Sequence, residues 1–190
     1  MIIAISGKAG AGKTLSASLL YNMFKELPKY NPNLKSFSTP VYQIASVILN
    51  QNVAHIQDNK NEQAQPYDLT NREFLQLIGQ SFRDLLEPKV WINTLFRDNY
   101  QDDTDIIIID DLRYRNEIDN IRMMGQHFLL RLQRQDYSQN NHKFNQHPSE
   151  NELDKMINWN TTIHNTEDIE TLVRKLRSQV FLPIIEKFNP

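Results

Sequence analysis

One short run governs what this chain can fold into. Gly7-Lys8-Ala9-Gly10-Ala11-Gly12-Lys13-Thr14 satisfies the pattern G-x-x-x-x-G-K-[ST] and sits between two segments that give the pattern a mechanism. Before it, Ile2-Ile3-Ala4-Ile5 is an apolar run of strand length; after it, Leu15, Leu19, Leu20, Met23, Phe24 and Leu27 recur at helical spacing. Strand, glycine turn and helix in that order turn backbone N–H groups and the positive end of a helix dipole toward an anion, and Lys13 adds a full charge. The pattern predicts a cradle for the phosphates of a nucleoside triphosphate, with the Thr14 hydroxyl available to a magnesium ion. A plain glycine-rich turn is the competing reading, and the strand-to-helix context argues against it.

Downstream, strand and helix patterns alternate. Leu34 to Ser38 predicts a second strand and Val41 to Leu49 a helix, with Val41, Ile44, Ala45 and Ile48 on one face. Residues 50–68 are polar and aperiodic, as expected of a variable insert. Thr70-Asn71-Arg72-Glu73 is a capping box opening a helix that carries Phe74, Leu77, Ile78, Phe82 and Leu85, and a shorter helix follows Pro88. Asp105 to Asp110 holds the isoleucine run Ile106–Ile109, a strand of the kind parallel sheets bury. A helix over 114–124 stops at Gly125, and Phe128 to Leu130 makes another strand. Residues 133–148 offer almost nothing to bury and predict a surface excursion or lid. Ser149 to Glu152 reads as a second capping box for a helix to about Asn158, Thr161 to Ile163 as the last strand, and the chain from Glu167 as a final helix. The expected fold is α/β: a P-loop NTPase with a doubly wound, mainly parallel five-stranded sheet, helices on both faces, and insertions. As one domain, its core is expected at 1–49, 100–132 and 159–190, with insertions at 50–99 and 133–158.

Several polar residues fall where such a sheet would gather them. Asp110 and Asp111 end a buried strand, at the edge that should carry the glycine loop, and a carboxylate there can hold magnesium or order an acceptor. Arg83 and Arg113 could clamp phosphate through paired hydrogen bonds, and Arg131 and Arg134 flank the predicted lid. Each has a plainer alternative: a turn-capping aspartate, a solvated arginine, a strand end. Ser149 is already explained by its capping box, and Phe82 and Trp91 by apolar helical faces.

Composition narrows the classes. A formal charge of -2 leaves no basic footprint for nucleic acid, and no apolar stretch is long enough to cross a bilayer. With zero cysteines there is no disulfide framework, thiolate metal site or thiol nucleophile. No export signal is legible, so a cytoplasmic location is expected.

Taken together, Gly7 to Thr14, Leu75-Gln76-Leu77-Ile78-Gly79-Gln80-Ser81-Phe82-Arg83 followed by Trp91, Asp110-Asp111-Leu112-Arg113-Tyr114 with Glu117, and His147-Pro148-Ser149-Glu150 resemble the deoxynucleoside monophosphate kinases of bacteriophages over residues 2–172. The resemblance implies an acceptor-binding region at 50–99, a lid at 133–158, and transfer of phosphate from ATP, with magnesium, to a deoxynucleoside monophosphate, in the host cytoplasm if the chain is phage-encoded. It implies that Gly7, Lys8, Ala9, Gly10, Ala11, Gly12, Lys13 and Thr14 bind ATP, and that Thr14 and Asp110 hold the metal. Lys13, Arg83, Asp111, Arg113 and the lid residue Arg134 would carry catalysis. Arg83, Trp91, Asp110, Asp111, Arg113, Glu117, Ser149 and Glu150 would meet the acceptor. The partner is then a small molecule rather than a membrane or nucleic acid, and a homodimer stays compatible with the sequence. A kinase of another phosphorylated metabolite, of the phosphomevalonate or dephospho-coenzyme A type, and a P-loop ATPase acting on nucleic acid remain open on the residues alone.

Overall fold

The computed structural model describes residues 1–97, 106–134 and 148–188, and the chain divides into two compact units. The first comprises Met1–Lys35 and Asp102–Pro190; the second is Ser36–Gln101.

The first unit is built on five parallel strands in the order β2-β3-β1-β4-β5. These are β1 (Ile2–Gly7), β2 (Pro32–Lys35), β3 (Ile106–Leu112), β4 (His127–Gln133) and β5 (Thr161–His164). β1 is central because Ile3, Ala4 and Ile5 have no solvent exposure on either face, which only a strand covered from both sides allows. From β1 the chain runs outward to β2 and back to β3, then crosses to β4 and β5 on the other side, the doubly wound connectivity expected from alternating strands and helices. The helix α1 (Lys13–Lys25) buries Ala17, Leu20 and Phe24, and the Phe24 ring meets Phe181 at 4.9 Å and Tyr30 at 5.7 Å. Phe181 closes a π-helical turn, Arg177–Phe181, between α8 (Ile169–Leu176) and α9 (Leu182–Phe188). Leu172, Leu176, Val180 and Ile184 join the same cluster as Ile5, Leu130 and Ile163. Each such fully buried aliphatic or aromatic side chain contributes on the order of 1.5–3 kcal/mol. The helix α6 (Arg115–Met123) connects β3 to β4 and stops before Gly125, whose φ of 113° is the left-handed conformation expected of a helix-ending glycine.

The second unit is helical where it is regular: α2 (Thr39–Leu49), α3 (Val53–Asp58), α4 (Asn71–Leu85) and α5 (Val90–Phe96). The capping box read at Thr70 is present, Thr70 Oγ1 accepting from Glu73 N at 3.2 Å while Thr70 N donates to the Glu73 carboxylate at 2.8 Å. Trp91 is buried; its indole N–H donates to Gly79 O at 2.9 Å and its ring packs on Phe82.

Five expectations about elements are corrected. β2 ends at Lys35 rather than Ser38, because α2 opens at Thr39-Pro40 and proline suits a first helical turn, where its missing N–H has no partner to lose. α2 clusters with the second unit rather than the core: its Val41, Ala45 and Leu49 are buried in packing that involves α3 and α4. Residues 50–68 are built rather than merely polar. Asn52 caps α3, Ile56 and Ala64 are fully buried, and Ala64 N bonds to Leu69 O. On α4, Leu77 and Leu85 are exposed, so its buried face is narrower than their spacing implies. The helix expected from Ser149 to Asn158 is only α7 (Pro148–Asn151), for a reason that belongs to the site.

Candidate functional site

Parallel register assembles the site at one edge of the first unit. Ser6, the penultimate residue of β1, is flanked by Leu112 of β3 and Arg131 of β4, so the chain leaving all three strands emerges together. Between Ala4 and Ser6 the β1–β3 register slips by one: two steps on β1 match three on β3, from Ile109 to Leu112. The extra residue falls at Asp110-Asp111, and a bulge re-aims side chains at the place where the strand meets the loop.

The loop between β1 and α1 turns through two left-handed glycines, Gly10 with φ 74° and Gly12 with φ 95°. Gly7 is required by closeness instead, since a Cβ there would lie 2.7 Å from Leu132 O. The Lys13 ammonium folds back and donates to Gly7 O at 2.7 Å and Lys8 O at 2.9 Å. Burial lowers its pKa to about 8, helped by the charge of Arg113 and resisted by Glu150, Asp111 and Asp110. Thr14 Oγ1 donates to Asp110 Oδ2 at 2.8 Å, so two oxygen-bearing side chains stand together beside the loop. Such hard oxygen donors fit magnesium.

Opposite the loop stands a short acidic segment. Arg113 Nη1 pairs with Glu150 Oε1 and also reaches Ser149 O at 3.4 Å. Burial alone would lower the Arg113 pKa, but the Glu150 and Asp111 charges outweigh it and raise it; burial would raise the Glu150 pKa, and Arg113 pulls it below the usual carboxylate range. The other Glu150 oxygen accepts from Ala9 N at 3.2 Å. A carboxylate therefore rests where the loop offers an N–H and Arg113 offers a guanidinium, which is the donor set a phosphate oxygen would use. Lys8 Nζ is held by the same segment, donating to Glu150 O at 2.6 Å, Asn151 Oδ1 at 2.8 Å and Asp154 Oδ2 at 2.5 Å. Asp154 also pairs with Arg131 at 2.8 Å, and Arg131 donates to Ser6 Oγ at 2.9 Å while lying over the Trp159 ring.

The structure thus gathers Lys13, Thr14, Asp110, Asp111, Arg113, Ser149 and Glu150 on one unit. Four sequence assignments change. Glu117 is buried and accepts from the backbone N–H groups of Arg113 at 2.8 Å and Tyr114 at 3.0 Å, so it caps α6 rather than facing an acceptor. Trp91 has a packing role, because its ring is buried and its N–H already serves Gly79 O. Arg131 is no lid arginine; it lies buried on β4 beside Ser6. Ser149 is inside α7 instead of capping a longer helix, because Glu152, the expected capping partner, is drawn to Arg115 N at 2.7 Å and so caps α6 as well. Arg83 belongs to the second unit, where Nη1 donates to Gly79 O at 3.2 Å. Arg134 is exposed at the end of β4. His147 and most of the predicted lid lie outside the described residues. Sequence reasoning missed Asp154 and Asn165; Asn165 immediately follows a predicted strand at the loop's own edge of the sheet, a signal that parallel topology makes available. Among the described residues no group of three histidines, cysteines or carboxylates is placed to hold a metal, and no helix is long and apolar enough to cross a membrane.

A family model described as deoxynucleotide monophosphate kinase matches residues 13–176. A protein of Acanthamoeba polyphaga mimivirus, named as a candidate deoxynucleotide monophosphate kinase, is 25% identical over 199 residues, covering 95% of this chain and 96% of the relative. Among solved structures, Chaetomium thermophilum Kti12 in complex with ADP-AlF3 aligns with a TM-score of 0.47 and 14% identity, covering 95% of this chain and 97% of that one. At that distance the activities of the two chains are separate questions.

Proposed function

Since this chain belongs to the deoxynucleotide monophosphate kinase family, and is thereby a nucleotide kinase, we propose that it transfers the γ-phosphoryl group of ATP directly to the phosphate of a deoxynucleoside monophosphate. The observation that carries the reading is the meeting of a glycine cradle, Lys13, the Thr14–Asp110 pair and Arg113 at one sheet edge. The loop N–H groups and Lys13 bind the donor phosphates. Arg113 holds the acceptor phosphate so that one of its oxygens attacks the γ-phosphorus in line, while the bond from that phosphorus to the bridging oxygen of ADP breaks. No proton needs abstracting from an ionised phosphate, so the site works by positioning and by neutralising spread charge. Thr14 and Asp110 would hold magnesium, which when bound supplies further neutralisation of the phosphate oxygens. Asp111, which is buried, places a negative charge near that guanidinium and favours its charged form. In the second unit, Arg83 is the residue proposed to bind acceptor.

The test is ADP production from Mg·ATP against a panel of deoxy- and ribonucleoside monophosphates, with phosphomevalonate and dephospho-coenzyme A as outsiders. Turnover that responds to one or more deoxynucleoside monophosphates supports the reading. ADP release indifferent to every acceptor, or a response to an outsider alone, overturns it.

A further inference from the structure

We infer that Asn165 is a positioning residue that keeps the phosphate cradle facing inward. The loop carbonyls of Gly7 and Lys8 are held by Lys13 Nζ, that of Gly12 by the N–H of Ser16, and that of Ala11 by a side chain 154 residues away: Asn165 Nδ2 donates to Ala11 O at 2.9 Å. Ala11 C=O and Gly12 N–H belong to one planar trans peptide, so they point in opposite directions. A carbonyl fixed toward Asn165 therefore fixes the Gly12 N–H on the other side, where α1 begins and where a phosphate needs a donor.

The loop cannot enforce this alone. Gly10 and Gly12 flank Ala11 with φ of 74° and 95°, and glycine crosses between backbone wells at little cost, so a flip of the 11–12 peptide would put an oxygen into the cradle. Asn165 blocks the flip from a rigid anchor. Its own backbone N–H continues the β4–β5 ladder by donating to Gln133 O at 2.8 Å. The fit is close: a Cβ on Gly12 would lie 2.6 Å from Asn165 Nδ2, so position 12 is glycine for its φ and for this amide together. Asn165 acts through the peptide it holds rather than on a reacting atom.

The inference rests on reading the loop as the donor-phosphate site and is independent of acceptor identity. Its test uses the full chain and two ligands in calorimetry with magnesium: ATP, and inorganic tripolyphosphate, which has phosphates and no base or sugar. Asn165→Asp keeps the shape but replaces the donor with a carboxylate against Ala11 O. Both ligands should weaken by a common factor of tenfold or more, with KM for the acceptor changed less than twofold and the melting temperature nearly kept. If Asn165→Asp fails to fold, Asn165→Ser, whose hydroxyl is small and still able to donate, should show the same common loss, smaller in size. Unchanged tripolyphosphate affinity in a folded variant overturns the inference, and so does weakening of ATP alone, which would make Asn165 a reader of the base or sugar. A wild-type chain that binds tripolyphosphate yet phosphorylates no deoxynucleoside monophosphate would end the proposed function and leave this inference standing.

Discussion

The glycine loop and the Pro148–Asp154 segment meet at one edge of the sheet and are made in opposite ways. The loop's geometry is largely local, with Asn165 as a distant anchor: Gly10 and Gly12 take left-handed φ values, and Lys13 bonds carbonyls five and six residues behind it. The acidic segment has only a single helical turn of its own, and its side chains are placed by Ala9, Arg113, Arg115, Arg131 and Lys8. One region offers hydrogen-bond donors and a lysine; the other offers carboxylates to them. A loop left with a buried lysine would carry an uncompensated charge, and Glu150 of the segment, together with Asp111 and Asp110 of β3, offsets it. The difference teaches that, on the proposed function, the loop would define what is bound and the segment what the ligand must displace.

The most damaging change to this arrangement is Lys13→Ala, expected to lower kcat by roughly a hundredfold to ten-thousandfold, since a preorganised charge is lost where negative charge gathers. Steady-state ADP production reads it, and turnover within a few fold of wild type would misplace the donor site. Next in size, Arg113→Ala should raise acceptor KM and lower kcat/KM for the acceptor by about a hundredfold while ATP affinity in calorimetry stays near normal. It removes a guanidinium and also strips Glu150 of its closest partner, so part of the loss is the cost of an orphaned carboxylate. Equal damage to donor and acceptor would dissolve the division between the two regions.

A third test uses pH. Lys13 titrates at about 8 in the ligand-free chain because it is buried, and only its charged form attracts phosphate. As pH rises through 8 the ammonium is lost, so kcat/KM for ATP should fall by up to about tenfold per unit. With ATP bound, phosphate charge favours the ammonium, so kcat should decline only at higher pH. Lys13→Arg should abolish the inflection, and a kcat/KM profile flat to pH 9.5 would contradict the assigned burial.

How much of this was legible in the sequence follows from the range of the interactions. β1, β3 and the loop were readable because an isoleucine run and a glycine pattern act within a few residues, and the five-stranded parallel sheet followed from strands alternating with helices. Asp110 and Arg113 were legible as strand-end residues. Asp154, Asn165 and the burial of Arg131 were not, because their partners Lys8, Ala11 and Ser6 lie more than a hundred residues away and nothing in local spacing announces them. Glu117 and Glu152 were misread for a related reason. Glu117, at capping distance from Arg113, looks like a substrate ligand, and Glu152 looks like the cap of its own helix, until the backbone N–H groups that claim them are seen.

Glu150→Gln should sharpen the contrast by a few fold. The amide keeps the size and one acceptor but removes the charge that rests on Ala9 N–H and Arg113. Tripolyphosphate then has less to displace, and its affinity should rise about threefold to tenfold in calorimetry. Arg113, held less firmly, should cost acceptor KM by a similar factor. Affinity for tripolyphosphate that falls instead would mean that the segment supports phosphate binding rather than competing with it.

The smallest effect belongs to the region least involved. Trp91→Phe, in the second unit, removes the indole donor from Gly79 O and leaves a partly filled hole beside Phe82. That carbonyl also accepts from Arg83 Nη1, so it keeps a partner, and the cost should be that of one hydrogen bond and some packing, about 1–3 kcal/mol. Denaturant titration should register the loss while tripolyphosphate affinity stays unchanged, because no loop carbonyl or N–H depends on this indole. The smaller phenyl ring packs α5 less fully against α4 while Arg83 retains its anchor on Gly79, so on the role proposed for Arg83 a modest rise in acceptor KM is expected. A change in tripolyphosphate affinity as large as that from Glu150→Gln would show that the donor cradle draws its order from beyond the sheet edge, and the contrast between loop and segment would have to be extended to the second unit.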